Sequence, residues 1–301
     1  MSKRIDIRKI LSYLDCNKES YIFEGNREGY INGFSSYGNY KQGNLTWIKN
    51  YNAIEKNRNI QKVTLAVVQN GVETLTVENK IIVKESKRVF FDLLEHFFST
   101  EKTQERIGNN TYLSPDVKLG KNVVIGHNCT LDGMITIGDG TRIYNNINII
   151  NNVTIGQNCE IQSGVNIGHD GFGYTENEEH QKTMVKHYGG VVIEDNVYIG
   201  GNSYIERGTI DNTIIKEGVK IDGACVIVHN CIIEKNTAMV GGSTLLGSVH
   251  LKDNVYIASA LIKNQVTIGK NAVVGMGSVV IKDVEADTTV IGVPAQKLRK
   301  K

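Results

Sequence analysis

The 301-residue sequence has little proline and tryptophan, with two prolines and one tryptophan beside 31 glycines. Proline removes a backbone donor from a β-ladder and is confined to turns and sheet edges, so its scarcity is compatible with long, regular ladders. Glycine reverses the chain direction without that loss of a donor. The composition therefore predicts many tight turns between uninterrupted β ladders.

The sequence also lacks an excess of charge and any long apolar run. Lys and Arg total 34 against 32 Asp and Glu, which gives a formal net charge of +2. This balance excludes a dominant basic surface for nucleic acid or acidic membranes. The N-terminus, MSKRIDIRKILSYLDCNKES, has no uninterrupted apolar stretch, so it predicts neither a secretory signal nor a membrane span. We expect a cytoplasmic protein without a nucleic-acid partner or a membrane span.

The five cysteines form no CxxC pair. This spacing argues against a zinc cluster and fits a reducing compartment. Because no metal-ligand pattern is present, no metal and no bound cofactor are expected.

An aliphatic residue recurs at every sixth position from Leu113 to Ile167. The period is interrupted three times, and it resumes at Ile193, Ile215 and Ile268. A period of six fits neither an α-helix nor simple strand alternation, and it is the signature of a parallel β-helix. The sequence therefore predicts a mainly β fold in which residues 105–293 form this β-helix, with three hexapeptides in each 18-residue coil. Its left-handed sense is implied by known hexapeptide proteins.

Two further positions of the hexapeptide have a consistent composition. Small residues stand four places after the aliphatic one, where they are expected to fill a narrow interior. They include four cysteines, Cys129, Cys159, Cys225 and Cys231. Asparagine recurs three places after it and tolerates the positive φ of a sharp corner. The corner asparagines are Asn128, Asn158, Asn196, Asn230, Asn236, Asn254 and Asn271.

Three parts of the chain lie outside this repeat. Residues 1–104 combine an amphipathic start, a β-rich run and an apolar, helix-like end, which predict a small α/β domain. Residues 169–192 are polar and contain glycine, so we expect a loop that leaves the prism, the usual place for function in repeat proteins. Residues 294–301 form a basic tail, expected to leave the prism after Pro294.

His229 occupies a corner position in the stretch ACVIVHNCIIEKN. One coil later, 18 residues on, Gly247 would lie about 5 Å above it if the coils stack at normal strand spacing. An imidazole beside an open backbone N–H suits acyl transfer, which needs a base and an oxyanion donor. A polar corner residue is the other interpretation. His127 is interpreted as such a corner, because Asn145 fills the corresponding place above it.

Four segments resemble the UDP-3-O-acylglucosamine N-acyltransferase family of the lipid A pathway. They are DGFGY (170–174), IERGTIDNTII (205–215), VKIDGACVIVHN (219–230) and NTAMVGGSTLLGS (236–248). The resemblance implies that His229 is the general base, Asp222 its acidic partner and Gly247 the oxyanion donor.

The same resemblance implies substrate-binding residues. Trp47 and Asn50 in LTWIKN match the family's nucleobase site, where an aromatic plate holds the base, and Tyr51 could replace the tyrosine that is absent at position 53. At the loop, the candidates for substrate contact are His169, Phe172 and Tyr174. Simple loop polarity would equally explain His169, and the other two loop histidines, His180 and His187, are expected to be solvated.

The sequence departs from the family at several points. The family's second histidine, expected within SALIKNQV (259–266), is missing, and Gly223 follows Asp222 where asparagine is expected. The ending GVPAQKLRKK resembles hexapeptide enzymes that use acyl-CoA.

We therefore expect a homotrimeric N-acyltransferase that moves an acyl group, such as a 3-hydroxyacyl group, from a thioester to the amine of a nucleotide-linked amino sugar for surface polysaccharide synthesis. Acyl-CoA is the favoured donor. The alternative is the lipid A reaction, in which acyl carrier protein delivers the acyl group to UDP-3-O-acylglucosamine.

Two other classes of function stay open. A hexapeptide carbonic anhydrase would need three converging histidines, yet none of the seven histidines are spaced five apart, as its paired ligands are. A non-catalytic scaffold or sugar-binding module would use the same fold without a base.

Overall fold

The structure is a computed structural model that describes residues 4–50, 52, 62–72, 77–99 and 106–298. The chain divides into two compact units, Met1–Thr103 and Gln104–Lys301.

Within the described residues, the first unit combines two α-helices with a five-stranded sheet. Helix α1 is Ile7–Cys16, helix α2 is Ser86–Phe98, and a short 3-10 helix spans Tyr37–Asn39. The sheet strands, in spatial order, are Tyr21–Glu24, Lys80–Val83, Leu65–Gln69, Asn44–Ile48 and Gly33–Phe34. The first pair is antiparallel and the others are parallel. A two-stranded ribbon pairs Ile5–Asp6 with Tyr30–Ile31.

Both helices of this unit bury one apolar face against the sheet. Asp6 caps α1, since its carboxylate accepts a hydrogen bond from Arg8 N–H at 2.8 Å. The buried cluster combines residues of both helices and the sheet: Ile7, Ile10, Leu14, Leu45, Leu65, Val67, Ile81, Val89, Phe90 and Leu93. The amphipathic start, the β-rich run and the helix-like end of the sequence correspond to α1, the central strand Leu65–Gln69 and α2.

The second unit is a triangular β-helix with three sheets. The ten-stranded sheet contains Val124–Ile125, Arg142–Ile143, Glu160–Ile161, Tyr198–Ile199, Lys220–Ile221, Ala238–Met239, Tyr256–Ile257, Val273–Val274, Thr289–Ile291 and Gln296–Lys297. The nine-stranded sheet contains Tyr112–Leu113, Thr130–Asp132, Asn148–Ile150, Asn166–His169, Tyr204–Glu206, Val226–Ile227, Thr244–Leu245, Leu261–Ile262 and Val279–Val280. The eight-stranded sheet contains Lys118–Leu119, Ile135–Ile137, Val153–Ile155, Val191–Ile193, Thr213–Ile215, Ile232–Ile233, His250–Leu251 and Thr267–Ile268.

The repeat of the sequence sets the stacking of the coils. Strands one coil apart pair in parallel, so that Ile227 lies opposite Leu245 and Ile125 opposite Ile143. The recurring aliphatic side chains point inward and form one continuous core. This arrangement confirms the parallel β-helix expected from the period of six.

The cysteines at the interior position behave as small apolar side chains. All four are buried, whereas Cys16 is exposed. Burial raises the pKa of the Cys231 thiol to about 12, so this thiol is not a nucleophile near neutral pH. These cysteines fill the core, as predicted.

The corner asparagines adopt the left-handed conformation that the sequence predicts. Their φ values lie between 53° and 62°: Asn128, Asn158, Asn196, Asn230, Asn236, Asn254 and Asn271. Asparagine tolerates this region better than most residues because its short polar side chain can bond locally.

The excursion at 169–192 contains an antiparallel hairpin, Tyr174–Glu176 with Lys182–Met184. The chain then rejoins the prism at Val191–Ile193. At the C-terminal end, Gln296–Lys297 pairs antiparallel with Thr289–Ile291. The described part of the basic tail thus stays on the sheet edge. The prediction that the tail leaves the prism after Pro294 was wrong for these residues. Within the described residues, no helix is long and apolar enough to cross a membrane.

Candidate active site

His229 and Gly247 lie on successive coils, as their spacing predicts. His229 follows strand Val226–Ile227, which pairs with Thr244–Leu245. A Cβ atom built on Gly247 would stand 2.7 Å from Cε1 and 2.9 Å from Nε2 of His229. Such contacts are too short for any side chain, so only glycine permits this imidazole position. Among the described residues, none accepts a hydrogen bond from Gly247 N–H.

Asn230 fixes the tautomer of the His229 imidazole. Asn230 Oδ1 accepts hydrogen bonds from Thr209 N–H at 3.2 Å and from Thr209 Oγ1 at 2.6 Å, and it lies 2.8 Å from His229 Nδ1. A backbone N–H can only donate, so the shared atom is the amide oxygen and His229 Nδ1 is its donor. Nε2 then keeps its lone pair. This is the protonation state that a general base requires.

Two buried charged residues of the preceding coil support the site: Glu206 holds the His229 corner, and Arg207 contacts the two ends of the excursion. Glu206 is 9% exposed, and its Oε2 accepts a hydrogen bond from His229 N–H at 3.0 Å. Burial raises the pKa of Glu206, while this hydrogen bond and the nearby imidazole act in the opposite direction. Arg207, 7% exposed, donates from Nε to Gly189 O at 2.6 Å, and its Nη1 lies 3.8 Å from Asp170 Oδ1.

His187, expected to be solvated, is buried beside His229, so that expectation was wrong. His187 is only 1% exposed. The ring centres of His187 and His229 are 5.3 Å apart, and the ring planes are 77° apart. His187 Nδ1 accepts a hydrogen bond from Gly171 N–H at 2.9 Å, and Asp170 Oδ2 accepts one from His187 N–H at 3.2 Å. These bonds hold the start and the end of the excursion together. The polar composition of the loop does not predict this contact.

Gly171 passes between three side chains of the candidate site. A Cβ atom there would lie 2.4 Å from Glu206 Oε2, 2.7 Å from His229 Cδ2 and 2.8 Å from His187 Cε1. Any larger residue would have to displace at least one of them. The segment DGFGY therefore belongs to the site through its backbone.

Comparison with known proteins identifies the family. The family described as the hexapeptide repeat of succinyl-transferase matches residues 116–150, 190–227 and 258–282. A UDP-3-O-acylglucosamine N-acyltransferase of Campylobacter lari is 41% identical over 227 residues, which cover 71% of this chain and 70% of that protein. This chain belongs to the UDP-3-O-acylglucosamine N-acyltransferase family.

Other members of the family align over a smaller share of their length. The Helicobacter hepaticus protein of the same name is 44% identical over 184 residues, covering 58% of this chain and 56% of that protein. For a Rhodopseudomonas palustris member the identity is 39%, over 44% of this chain and 36% of that protein. The chain thus spans about half or less of the length of these two relatives.

Solved structures support the fold alone. The UDP-N-acetylglucosamine acyltransferase of Bacteroides fragilis is 24% identical, with a TM-score of 0.57 over 62% of this chain and 72% of that one. The enzyme of the same name from Campylobacter jejuni is 22% identical, with a TM-score of 0.56 over 63% of this chain and 72% of that one.

Asp222, the acidic partner implied by the family resemblance, lies at the opposite end of strand Val226–Ile227 from His229. Its Oδ1 accepts a hydrogen bond from Gly223 N–H at 2.7 Å, and its Oδ2 accepts one from Gly241 N–H at 3.1 Å. Within the described chain, Asn230 rather than Asp222 contacts the His229 ring nitrogen. The role of Asp222 stays a prediction.

The loop candidates are spread along the excursion. The His169 ring stacks on Tyr204, with ring centres 5.9 Å apart. Phe172 is 74% exposed and packs edge to face against Tyr174 at 5.5 Å. An exposed aromatic pair after Gly171 is available to a ligand, and its contact with substrate stays a prediction.

The candidate nucleobase residues lie in the first unit. Trp47 is half-buried, donates from Nε1 to Ser86 Oγ at 2.9 Å, and its ring centre is 6.2 Å from that of Phe90. Asn50 is exposed at the end of this segment, and Tyr51 lies outside the described residues. The indole is therefore held in a fixed orientation, as a stacking surface requires.

His127 shows what a structural corner histidine looks like in this prism. It is exposed, its Nδ1 accepts a hydrogen bond from Asn109 N–H at 2.8 Å, and its N–H donates to Asn145 Oδ1 at 2.8 Å. The lone pair of His127 Nδ1 is thus used to bond the backbone of the neighbouring coil, in agreement with the interpretation of His127 as a structural corner.

Four residues of the site were not assigned a role by sequence reasoning: Glu206, Arg207, His187 and Asn230. The break in the period between Ile205 and Ile215 was a usable signal for the first two, because charged residues enter there in a core strand. Asn230 was interpreted only as a corner. Among the described residues, no group of three or more His, Cys, Asp or Glu side chains could hold a metal ion.

Proposed function

We propose that the protein is an N-acyltransferase that transfers an acyl group from a thioester to the amine of UDP-3-O-acylglucosamine. The observation that carries the proposal is that His229, whose Nδ1 lies 2.8 Å from Asn230 Oδ1, stands beside the open Gly247 N–H one coil away. These are the base and the oxyanion donor that acyl transfer requires.

In the proposed reaction, the neutral sugar amine attacks the thioester carbonyl while His229 Nε2 accepts a proton from the nitrogen. The new C–N bond produces a tetrahedral oxyanion, which Gly247 N–H stabilises. Collapse of this intermediate breaks the C–S bond, and the leaving thiolate takes the proton from His229. Asn230 keeps Nδ1 as a donor throughout, so Nε2 remains the nitrogen that exchanges protons.

The family relatives favour the second of the two acceptors considered from the sequence. Their names specify UDP-3-O-acylglucosamine, and neither name specifies an amino sugar for surface polysaccharide. We further propose that Trp47 and Asn50 bind the uracil ring. The role of Asp222 as acidic partner rests on the family resemblance.

The donor, the assembly and the location complete the proposal. Acylated acyl carrier protein and acyl-CoA are both chemically adequate thioesters, and measuring thiol release with each donor separates them. The proposed assembly is a homotrimer in the cytoplasm, with the thioester in the groove between neighbouring prisms.

Replacement of His229 tests the function directly. His229→Ala is expected to reduce kcat with UDP-3-O-acylglucosamine by about 10²- to 10⁴-fold, the usual contribution of a general base. His127→Ala is the matched control, because it removes the other corner imidazole that follows an inward isoleucine, and it should leave kcat unchanged. Full turnover by His229→Ala would refute the role of His229 as the base and favour another base. Absence of turnover by the wild-type protein would favour a non-catalytic sugar-binding module.

A further inference from the structure

His187 combines near-complete burial with a ring donor that has no partner. Its Nδ1 accepts a hydrogen bond from Gly171 N–H, so in the neutral ring the proton is on Nε2. Within the described part of the chain, no atom accepts a hydrogen bond from this Nε2–H, although the residue is only 1% exposed. Among the described residues, Thr46 Oγ1 is the one fully buried side-chain nitrogen or oxygen atom without a partner, so His187 Nε2 keeps a small accessible surface. A donor held there without a partner calls for a physical explanation.

The position of His187 relative to His229 suggests that explanation. A Cβ atom on Gly171 would lie between His187 Cε1 and His229 Cδ2, whereas one on Gly247 would contact His229 Cε1. In the imidazole ring, Nε2 is bonded to both Cδ2 and Cε1. His187 therefore faces the Cδ2 side of the His229 ring across Gly171, and Gly247 lies against Cε1 and Nε2 of the same ring.

We propose that His187 is a second oxyanion donor, whose Nε2–H binds the thioester oxygen together with Gly247 N–H. This inference rests on the proposed function. A neutral imidazole N–H is an established means of polarising a carbonyl, and a preorganised donor is most effective in a site shielded from water. The oxygen of the tetrahedral intermediate would supply the acceptor that the free protein lacks.

The role implies two separate tasks for the two ring nitrogens. Nδ1 holds the backbone of Gly171 across the site, and Nε2 contacts the substrate. Asparagine places an amide oxygen near the position of Nδ1 but offers no group at Nε2. Glutamine extends an amide N–H to about the position of Nε2. These two variants therefore separate docking of the loop from donation to the substrate.

The test compares His187→Asn and His187→Gln with the wild-type protein in steady-state assays using UDP-3-O-acylglucosamine. We expect His187→Asn to lower kcat by about 10²- to 10³-fold with little change in KM, as for the loss of one oxyanion donor. His187→Gln should stay within about tenfold of the wild-type kcat. His127→Asn is the matched control, because its Nδ1 also accepts a backbone N–H, and it should have no effect.

Hydrogen exchange at the Gly171 amide provides a readout of loop docking that is independent of turnover. We expect wild-type protection in His187→Asn despite its low kcat. Unchanged kcat in His187→Asn, equal losses in both variants, a change confined to KM, or loss of Gly171 protection in His187→Asn would each overturn the inference. Absence of turnover by the wild-type protein would overturn the proposed function and the inference with it.

Discussion

At the residue scale, Glu206 is a carboxylate buried next to the candidate base. Its 9% exposure removes most of the water that would solvate its charge, and its bond to His229 N–H replaces only part of that solvation. Glu206 thus holds the backbone of the His229 corner in place, at a cost to stability when it is ionised.

This cost predicts a pH-dependent effect of Glu206→Gln. Burial raises the pKa of Glu206 in the folded protein above its unfolded value of about 4.3, so the folded state binds more protons in that range. Wild-type stability should therefore fall as the pH rises from about 4 through the folded pKa, whereas Gln is neutral throughout. Thermal midpoints of both proteins should diverge over this range, with Glu206→Gln the more stable at pH 7.

Glutamine retains an amide oxygen that can accept the His229 N–H bond, so the variant changes the charge with little loss of hydrogen bonding. Glu176→Gln is the exposed-site control, because the pKa of Glu176 is lowered by His180 and Lys182. Its stability difference should have the opposite sign, and it should be small. A wild-type protein at least as stable as Glu206→Gln at pH 7 would contradict the prediction.

The relation of His229 to Gly247 could be predicted from the sequence, because 18 residues make one coil and the register is carried by every inward aliphatic side chain. The pairing of Ile227 with Leu245 shows this register. The position of His187 could not be predicted. It depends on how a segment without periodicity folds back, and this is decided by long-range contacts with Gly171 and Asp170.

At the element scale, the corners of the prism require backbone conformations that most residues avoid. Asn236 has a φ of 57°, and its side chain is exposed. Its N–H donates to Glu217 O at 3.2 Å, which ties the corner to the coil below. The side chain therefore matters mainly through the conformation that it tolerates.

Asn236→Ala should destabilise the protein by about 1 kcal/mol, because alanine adopts positive φ less readily than asparagine. Asn236→Gly removes the same side chain without this conformational penalty and should be nearly neutral. Urea unfolding at a fixed protein concentration measures the difference. If the two variants were equally destabilised, the side chain itself and not the backbone conformation would be the cause.

Regular elements of the chain follow from local patterns, and irregular ones do not. Helix α1 and the core strands could be predicted because each buries a periodic apolar face. The hairpin Tyr174–Glu176 with Lys182–Met184 has only exposed residues, so no burial pattern marks it. The strand Gln296–Lys297 is likewise exposed, and its pairing with the sheet edge comes from backbone bonds that any sequence can make.

At the scale of the whole molecule, two faces of the prism differ in the charge of the outward side chains at the first position of each strand. On the nine-stranded sheet, the outward side chains at the first position of each strand are all uncharged: Tyr112, Thr130, Asn148, Asn166, Tyr204, Val226, Thr244, Leu261 and Val279. The corresponding positions of the ten-stranded sheet include Arg142, Glu160 and Lys220. An uncharged face with exposed apolar side chains is typical of an interface between subunits.

His229 follows a strand of the nine-stranded sheet. Association of chains through this sheet would therefore place the site beside a neighbouring chain. We therefore predict a native mass of about three times the chain mass of 33.3 kDa by light scattering. Leu261→Lys, at a residue 38% exposed on this sheet, should lower the mass and abolish turnover together, because a desolvated charge would oppose association. Tyr256→Lys, at a residue 43% exposed on the charged ten-stranded sheet, is the matched control and should retain both. Full turnover by a monomeric Leu261→Lys protein would show that one prism contains the complete site, and would exclude the groove between chains as the place where the thioester binds.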